Sequence, residues 1–146
     1  MDQRELDLVR SSFASLAAMP EVAGALFYEH LFFETPAYRA MFKNDMRVQA
    51  VKLINMLELI VGNLDRLEEV LPTVRELGVR HVKYGVRHED YDALKKALLW
   101  MFEQALGDEF DPETRAAWAR CYDLVADEMK AAARAAIEAG ASSGAG

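Results

Sequence analysis

Apolar residues recur at helical spacing along almost the whole chain, and the prolines fall between the repeats rather than inside them. That pattern leaves little room for anything but helices. Leu6, Val9, Phe13 and Leu16 form one face of a first helix from about Gln3 to Ala18, with Asp2 as its N-cap. After Pro20, the run from Val22 to Phe32 is apolar on most of its circumference, which predicts a buried helix. Thr35-Pro36 breaks it and opens a short helix ending near Phe42. Asn44 or Asp45 caps the next helix, which runs to about Val61 and stops at Gly62-Asn63. Leu64, Leu67, Val70 and Leu71 form a short lead-in to Pro72 and a further helix. Asp90 caps a long helix to about Leu106. Asp111-Pro112 starts the last one, with Trp118, Tyr122, Val125 and Met129 on its stripe. Strand signals are weak and no repeat is evident. Seven or eight helices with short connections predict an all-α fold of crossed helices.

With 146 residues, the chain predicts one domain, residues 1–139, large enough for a full core. ASSGAG after Gly140 carries no core-forming residue, so 140–146 reads as a disordered tail or a cloning remnant. The single cysteine, Cys121, excludes an internal disulfide and reads as a small buried apolar residue. A net charge of −7 argues against nucleic acid and against anionic membranes as partners. No apolar run spans a bilayer and MDQRELDLVR is no signal peptide, so a soluble cytoplasmic protein is expected.

The stretch TVRELGVRHVKYGV, 73–86, concentrates the chemistry. His81 falls four residues after Leu77, on the same stripe as Val74 and next to Val82. Gly78 removes a side chain one turn before it, where something bulky can approach, and Gly85 offers a helix stop just beyond. Two readings of His81 follow: a neutral imidazole ligating a metal, or a core histidine bonded to a backbone carbonyl. Gln49 is the other anomaly, an amide on the otherwise apolar stripe of Met46, Leu53, Met56, Leu57 and Ile60, and it needs a partner. His30 and His88 have polar neighbours and read as surface histidines.

Taken in order, Pro36, Phe42, Gln49, Leu53 and His81 resemble the globin family. LFYEHLFFETPAYRAMF, LGVRHVKYGV and AWARCYDLVAD are similar to its second and third helices, its haem-ligating helix and its last helix. The type resembled is the single-domain bacterial haemoglobin related to the globin domain of flavohaemoglobins, over about Gln3 to Ala132. The resemblance implies a globin fold around haem b. It implies His81 as the proximal iron ligand, Phe42 stacked on the haem, Val82 and Val86 flanking it, and Tyr91 reaching His81. It also implies Tyr28 and Gln49 as distal donors to bound gas, Leu53 closing the distal side, and Lys52 beside a propionate. Dioxygen, nitric oxide and carbon monoxide are the implied ligands, and a monomer or weak homodimer the implied assembly.

Two departures bear on activity. The glutamate that flavohaemoglobins place eleven residues after Tyr122 is Ala133 here, so His81 is expected to be less electron-rich than theirs. No flavin or nicotinamide signature is present either, so any turnover would draw on a separate reductase. Reversible oxygen binding is the main expectation. Nitric oxide dioxygenase activity with an external reductase is the alternative, and a haem-free globin-like sensor or interaction domain is the contrast from another class.

Overall fold

A computed structural model describes residues 1–43 and 45–145, with side chains described to residue 140. Among the described residues six α-helices follow one another: α1 Gln3–Ala17, α2 Pro20–Glu34, α3 Met46–Gly62, α4 Leu71–Lys83, α5 Asp90–Leu106 and α6 Pro112–Ala145. Three 3-10 segments, Pro36–Met41, Leu64–Glu69 and Gly107–Glu109, join them. The all-α expectation holds, and the short helix and the lead-in segment take 3-10 form. The expected tail at 140–146 falls mostly on side chains outside the described residues, as does Gly146; the backbone of α6 is helical to Ala145. Among the described residues no helix is long and apolar enough to cross a membrane.

Caps set the helix ends much as the residues suggest. The Asp2 carboxylate accepts from the Glu5 N–H at 2.8 Å, and Glu5 returns the bond to the Asp2 N–H. Asp45 caps α3 by accepting from Arg47 N–H at 2.8 Å; the alternative cap, Asn44, lies outside the described residues. Asp111 accepts from Thr114 N–H at 2.8 Å and opens α6. Asp90 is a correction. It is the first residue of α5 rather than its cap, and its buried carboxylate reaches backwards and sideways. One oxygen accepts from the Arg87 N–H at 2.7 Å, and the other accepts from the Tyr38 hydroxyl at 2.5 Å.

The helices cross in pairs, with α2 against α3 and α5, and α4 against α6. Two crossings are so close that a Cβ would not fit. At Gly24 it would collide with Ala50 of α3, and at Gly78 it would stand 2.8 Å from the Met129 Cα of α6. The larger core cluster holds Val9, Phe13, Leu16, Phe27, Phe102 and Trp118. Trp118 is 1 % exposed, and its indole N–H donates to the Ser12 hydroxyl at 2.8 Å, tying α6 to α1. A smaller cluster of Val74, Tyr91, Ala126 and Met129 packs between α4, α5 and α6.

Candidate functional site

Between these clusters lies a cavity of about 660 Å³, lined by residues of both. Its size falls within the roughly 300–1,000 Å³ usual for cofactor and small-molecule sites. Well-packed interiors leave few voids larger than a water, so a space of this size between two core clusters is a candidate site.

His81 lines it from α4. Its Nδ1 lies 2.7 Å from the Leu77 carbonyl oxygen. A carbonyl can only accept, so Nδ1 carries the proton and Nε2 keeps its lone pair. Burial lowers the imidazole's pKa, the carbonyl bond opposing it, so the neutral ring is favoured. Both readings of His81 are thereby compatible: the carbonyl bond of a core histidine is also what orients a ligating one. The helix stops directly beyond. Val86 N–H donates to the His81 carbonyl at 2.9 Å and Gly85 N–H to the Val82 carbonyl at 3.0 Å, with Gly85 at φ +92°. This paired stop needs a left-handed residue, which explains the glycine.

Tyr28 and Gln49 line the same cavity from α2 and α3. The Gln49 side-chain N–H donates to the Tyr28 hydroxyl oxygen at 3.3 Å. The amide thus has the partner its place on the stripe demanded. Burial raises the Tyr28 phenol, and Gln49 partly offsets this, so the hydroxyl keeps its proton. The ring is wedged edge-on between Phe27 and Phe42, at centroid distances of 4.9 and 5.1 Å.

The structure places the other expected site residues unevenly. Phe42, Leu53, Val86, Tyr91 and the exposed Lys52 all line the cavity. Val82 does not, although it sits half-buried beside His81. The ring of Tyr91 stacks toward His81 at 6.4 Å, and its buried hydroxyl has no partner among the described residues. Lys130 Nζ stands 5.4 Å over that ring. The backbone carbonyl of Tyr91 accepts from the Tyr122 hydroxyl at 2.6 Å. Ala133 is buried. Cys121 is buried as expected, its thiol pushed up to about 12 by desolvation.

Three further readings need correction. Gly78 admits the α6 backbone at Met129, not a ligand. His30 is half-buried because α5 brings Trp100 against it, the rings stacked at 4.8 Å. His88 is also half-buried, and its Nε2 accepts from Arg134 at 3.2 Å. Sequence reasoning missed the Tyr38–Asp90 bond, which pins the Pro36–Met41 segment beside Phe42 to the connection after His81. Burial and that carboxylate push the Tyr38 phenol up to about 12. Its one signal was a tyrosine between Pro36 and Phe42; nothing local marked a partner fifty-two residues away. Met41, Arg80 and Tyr84 also line the cavity and were not singled out.

The globin family model matches residues 25–129, more than half of the chain. The flavohemoprotein of Bacillus subtilis is 26 % identical over 130 residues, covering 87 % of this chain and 33 % of that protein. That of Oceanobacillus iheyensis is also 26 % identical, with 87 % and 32 % covered. The chain therefore spans about a third of the length of these relatives. Among solved structures, an engineered carbene transferase based on a candidate nitric oxide dioxygenase of Rhodothermus marinus superposes with a TM-score of 0.87 at 21 % identity, covering 97 % of this chain and 99 % of that one. A bacterial globin from Campylobacter jejuni gives 0.82 at 20 %, covering 94 % and 99 %.

Proposed function

The chain belongs to the globin family, and on that premise we propose that it holds haem b in the 660 Å³ cavity and binds dioxygen reversibly. One observation carries the reading: a neutral imidazole with a free Nε2 lines the same apolar space as the Tyr28–Gln49 pair. The residues fit the group. His81 would supply a nitrogen ligand to the iron, and Phe42, Leu53 and Val86 would supply apolar walls for the macrocycle. Haem iron, if held there, would supply reversible binding of dioxygen, nitric oxide or carbon monoxide.

The chain's own residues do the rest. The Leu77 carbonyl holds the His81 ring in one tautomer and makes Nε2 the better donor. Gln49 donates to the Tyr28 oxygen, which leaves the Tyr28 O–H free to donate into the cavity. Tyr28 is thus the direct donor to a polar gas, and Gln49 positions it. Leu53 and Phe42 keep water from the same space, where a hydrogen bond is stronger than in solvent. Lys52 stands at the mouth for a propionate. An apolar cavity of this size with His81 on its wall weighs against the haem-free interaction domain.

The test is the visible spectrum of purified protein, reconstituted with haem if required. A Soret band that shifts when carbon monoxide is added to the reduced protein is expected. Failure to take up haem overturns the reading. The flavohemoprotein relatives favour a second reading, nitric oxide dioxygenase activity sustained by a separate reductase. Nitric oxide and oxygen meeting in one pocket need little further protein chemistry. With excess nitric oxide, oxygen and NADH, rapid stoichiometric conversion is expected, and continued turnover once a flavin reductase is added. Many turnovers without any reductase overturn the claim that these residues lack an electron source.

A further inference from the structure

A second cavity of about 330 Å³ lies between α2, α3 and the Pro36–Met41 segment. Its outer wall is built from exposed residues, among them Ala25, Glu29 and Arg39, and its inner wall from Phe32, Ala50 and Tyr28. Among the described residues, Tyr28 is the one that lines both this cavity and the 660 Å³ cavity. From this we infer that the smaller cavity is an access route for small neutral gases to the larger one, with the Tyr28 side chain as its inner gate.

The partition is made of side chains packed by ring contacts and one hydrogen bond. Across it stand the rings of Tyr28 and Phe32, stacked at 5.8 Å, with the Arg39 guanidinium 5.6 Å over Phe32. The bond that fixes the Tyr28 hydroxyl, from Gln49, is 3.3 Å long, at the loose end of the range for a hydrogen bond. A rotation of Tyr28 breaks that one bond and joins the two spaces. The inner wall of alanine and phenylalanine offers nothing to a charged or strongly polar species, while an uncharged diatomic passes without desolvation cost. The close α2–α3 crossing at Gly24 and Ala50 keeps these helices fixed, so the side chain moves and not the wall. The gate is also the residue assigned above as gas donor, so a gas molecule leaving its hydrogen bond would open its own way out.

The inference rests on the proposed haem site, and its test separates the two. Ala25→Trp plugs the outer cavity from an exposed helical position that does not line the haem space. In the reduced haem protein, carbon monoxide association after photolysis and its dissociation should both slow by the same factor. That factor is about twofold or more if one of two comparable routes closes, with Kd unchanged, because a barrier on the path alters both rates alike. Crystals of the unsubstituted protein under xenon should show a xenon atom beside Phe32 and Ala50, and crystals of the variant should not. Unchanged rates overturn the route. So does a shifted Kd with unequal rates, which would mean the tryptophan had altered the gas site itself. An empty cavity under xenon overturns it too. Failure of the haem reading shows separately, as no Soret band in the unsubstituted protein, and removes the route with it.

Discussion

The two walls of the main cavity are built by the same device and held to different tightness. Each rests on a helix crossing too close for a Cβ: Gly78 against Met129 on the His81 side, Gly24 against Ala50 on the Tyr28 side. Each glycine precedes the side chain it serves by about one turn. From there the walls diverge. His81 is tied by a 2.7 Å bond to its own helix backbone, and that helix is closed by a paired backbone stop at Gly85. Tyr28 is tied by a 3.3 Å bond to another side chain and otherwise by ring packing. Backbone-anchored parts keep one geometry, whereas side-chain-anchored parts can exchange between several. In the proposed site the first wall retains the cofactor and the second governs how gas comes and goes.

The largest effect should come from removing the fixed wall's ligand. His81→Ala is expected to lose haem or to hold it weakly, read as loss of the Soret band on gel filtration. Stable haem binding with an unchanged reduced spectrum would sink the assignment of His81. Next come the two crossings. Gly78→Ala and Gly24→Ala each force a helix pair apart, and overpacking of this kind costs about 1–3 kcal/mol. Equal losses in urea denaturation are expected, with unequal consequences for the site. Gly78→Ala should speed haem loss, whereas Gly24→Ala should leave haem in place and change oxygen kinetics. If both variants lost haem equally fast, the division between the walls would be wrong.

Much of this was legible along the chain. The period of the apolar residues placed all six α-helices, and the caps at Asp2, Asp45 and Asp111 could be read because capping is local. His81 and Gln49 stood out because each is polar on an apolar stripe, and both line the cavity. What stayed hidden depends on partners distant in sequence. The emptiness at Gly78 looks the same in the sequence whether a ligand or the Met129 backbone fills it. Asp90 has the composition of an N-cap, and a tyrosine from the Pro36–Met41 segment claims its carboxylate instead. Val82 shows the limit of helical spacing: its neighbour His81 meets the cavity, and a step of one residue turns the side chain away from it.

A smaller effect sharpens the mobile wall. A neutral hydrogen bond in a dry pocket contributes roughly 1–2 kcal/mol. Tyr28→Phe should then speed oxygen dissociation by about tenfold for each ~1.4 kcal/mol lost. Gln49→Leu acts through Tyr28 and should do less. Carbon monoxide carries little charge and should barely respond. Equal acceleration of both gases in stopped-flow measurements would mean that the two residues act by bulk and not through a hydrogen bond from Tyr28.

The fixed wall also has a pH signature. Burial lowers the folded-state pKa of His81 below its ordinary value near 6.5. The unfolded chain therefore binds the extra proton first as pH falls. The stability contributed by the neutral ring is complete above about 6.5 and is lost as pH drops through the lower folded value. Denaturation of the haem-free protein should follow this course, and the His81→Gln variant should show a shallower decline. An unchanged slope in that variant would assign the acid loss elsewhere.

The smallest effect belongs to the rim, outside both walls. Lys52 lines the cavity mouth yet is exposed. Its ammonium can meet a propionate there in water, where an exposed ion pair contributes about 0–1 kcal/mol. A lysine stem also covers apolar surface whatever its charge does, so Lys52→Met keeps the cover and removes the charge. Haem transfer to an acceptor globin should then speed by no more than about fivefold, the rate equivalent of ~1 kcal/mol. The difference from the unsubstituted protein should shrink as ionic strength rises toward 1 M, where the screening length falls to about 3 Å. A salt-independent change would show that Lys52 acts through its stem, as part of the packed wall. A change as large as that of Gly78→Ala would place the hold on haem at the rim, and the contrast between a fixed and a mobile wall would no longer account for it.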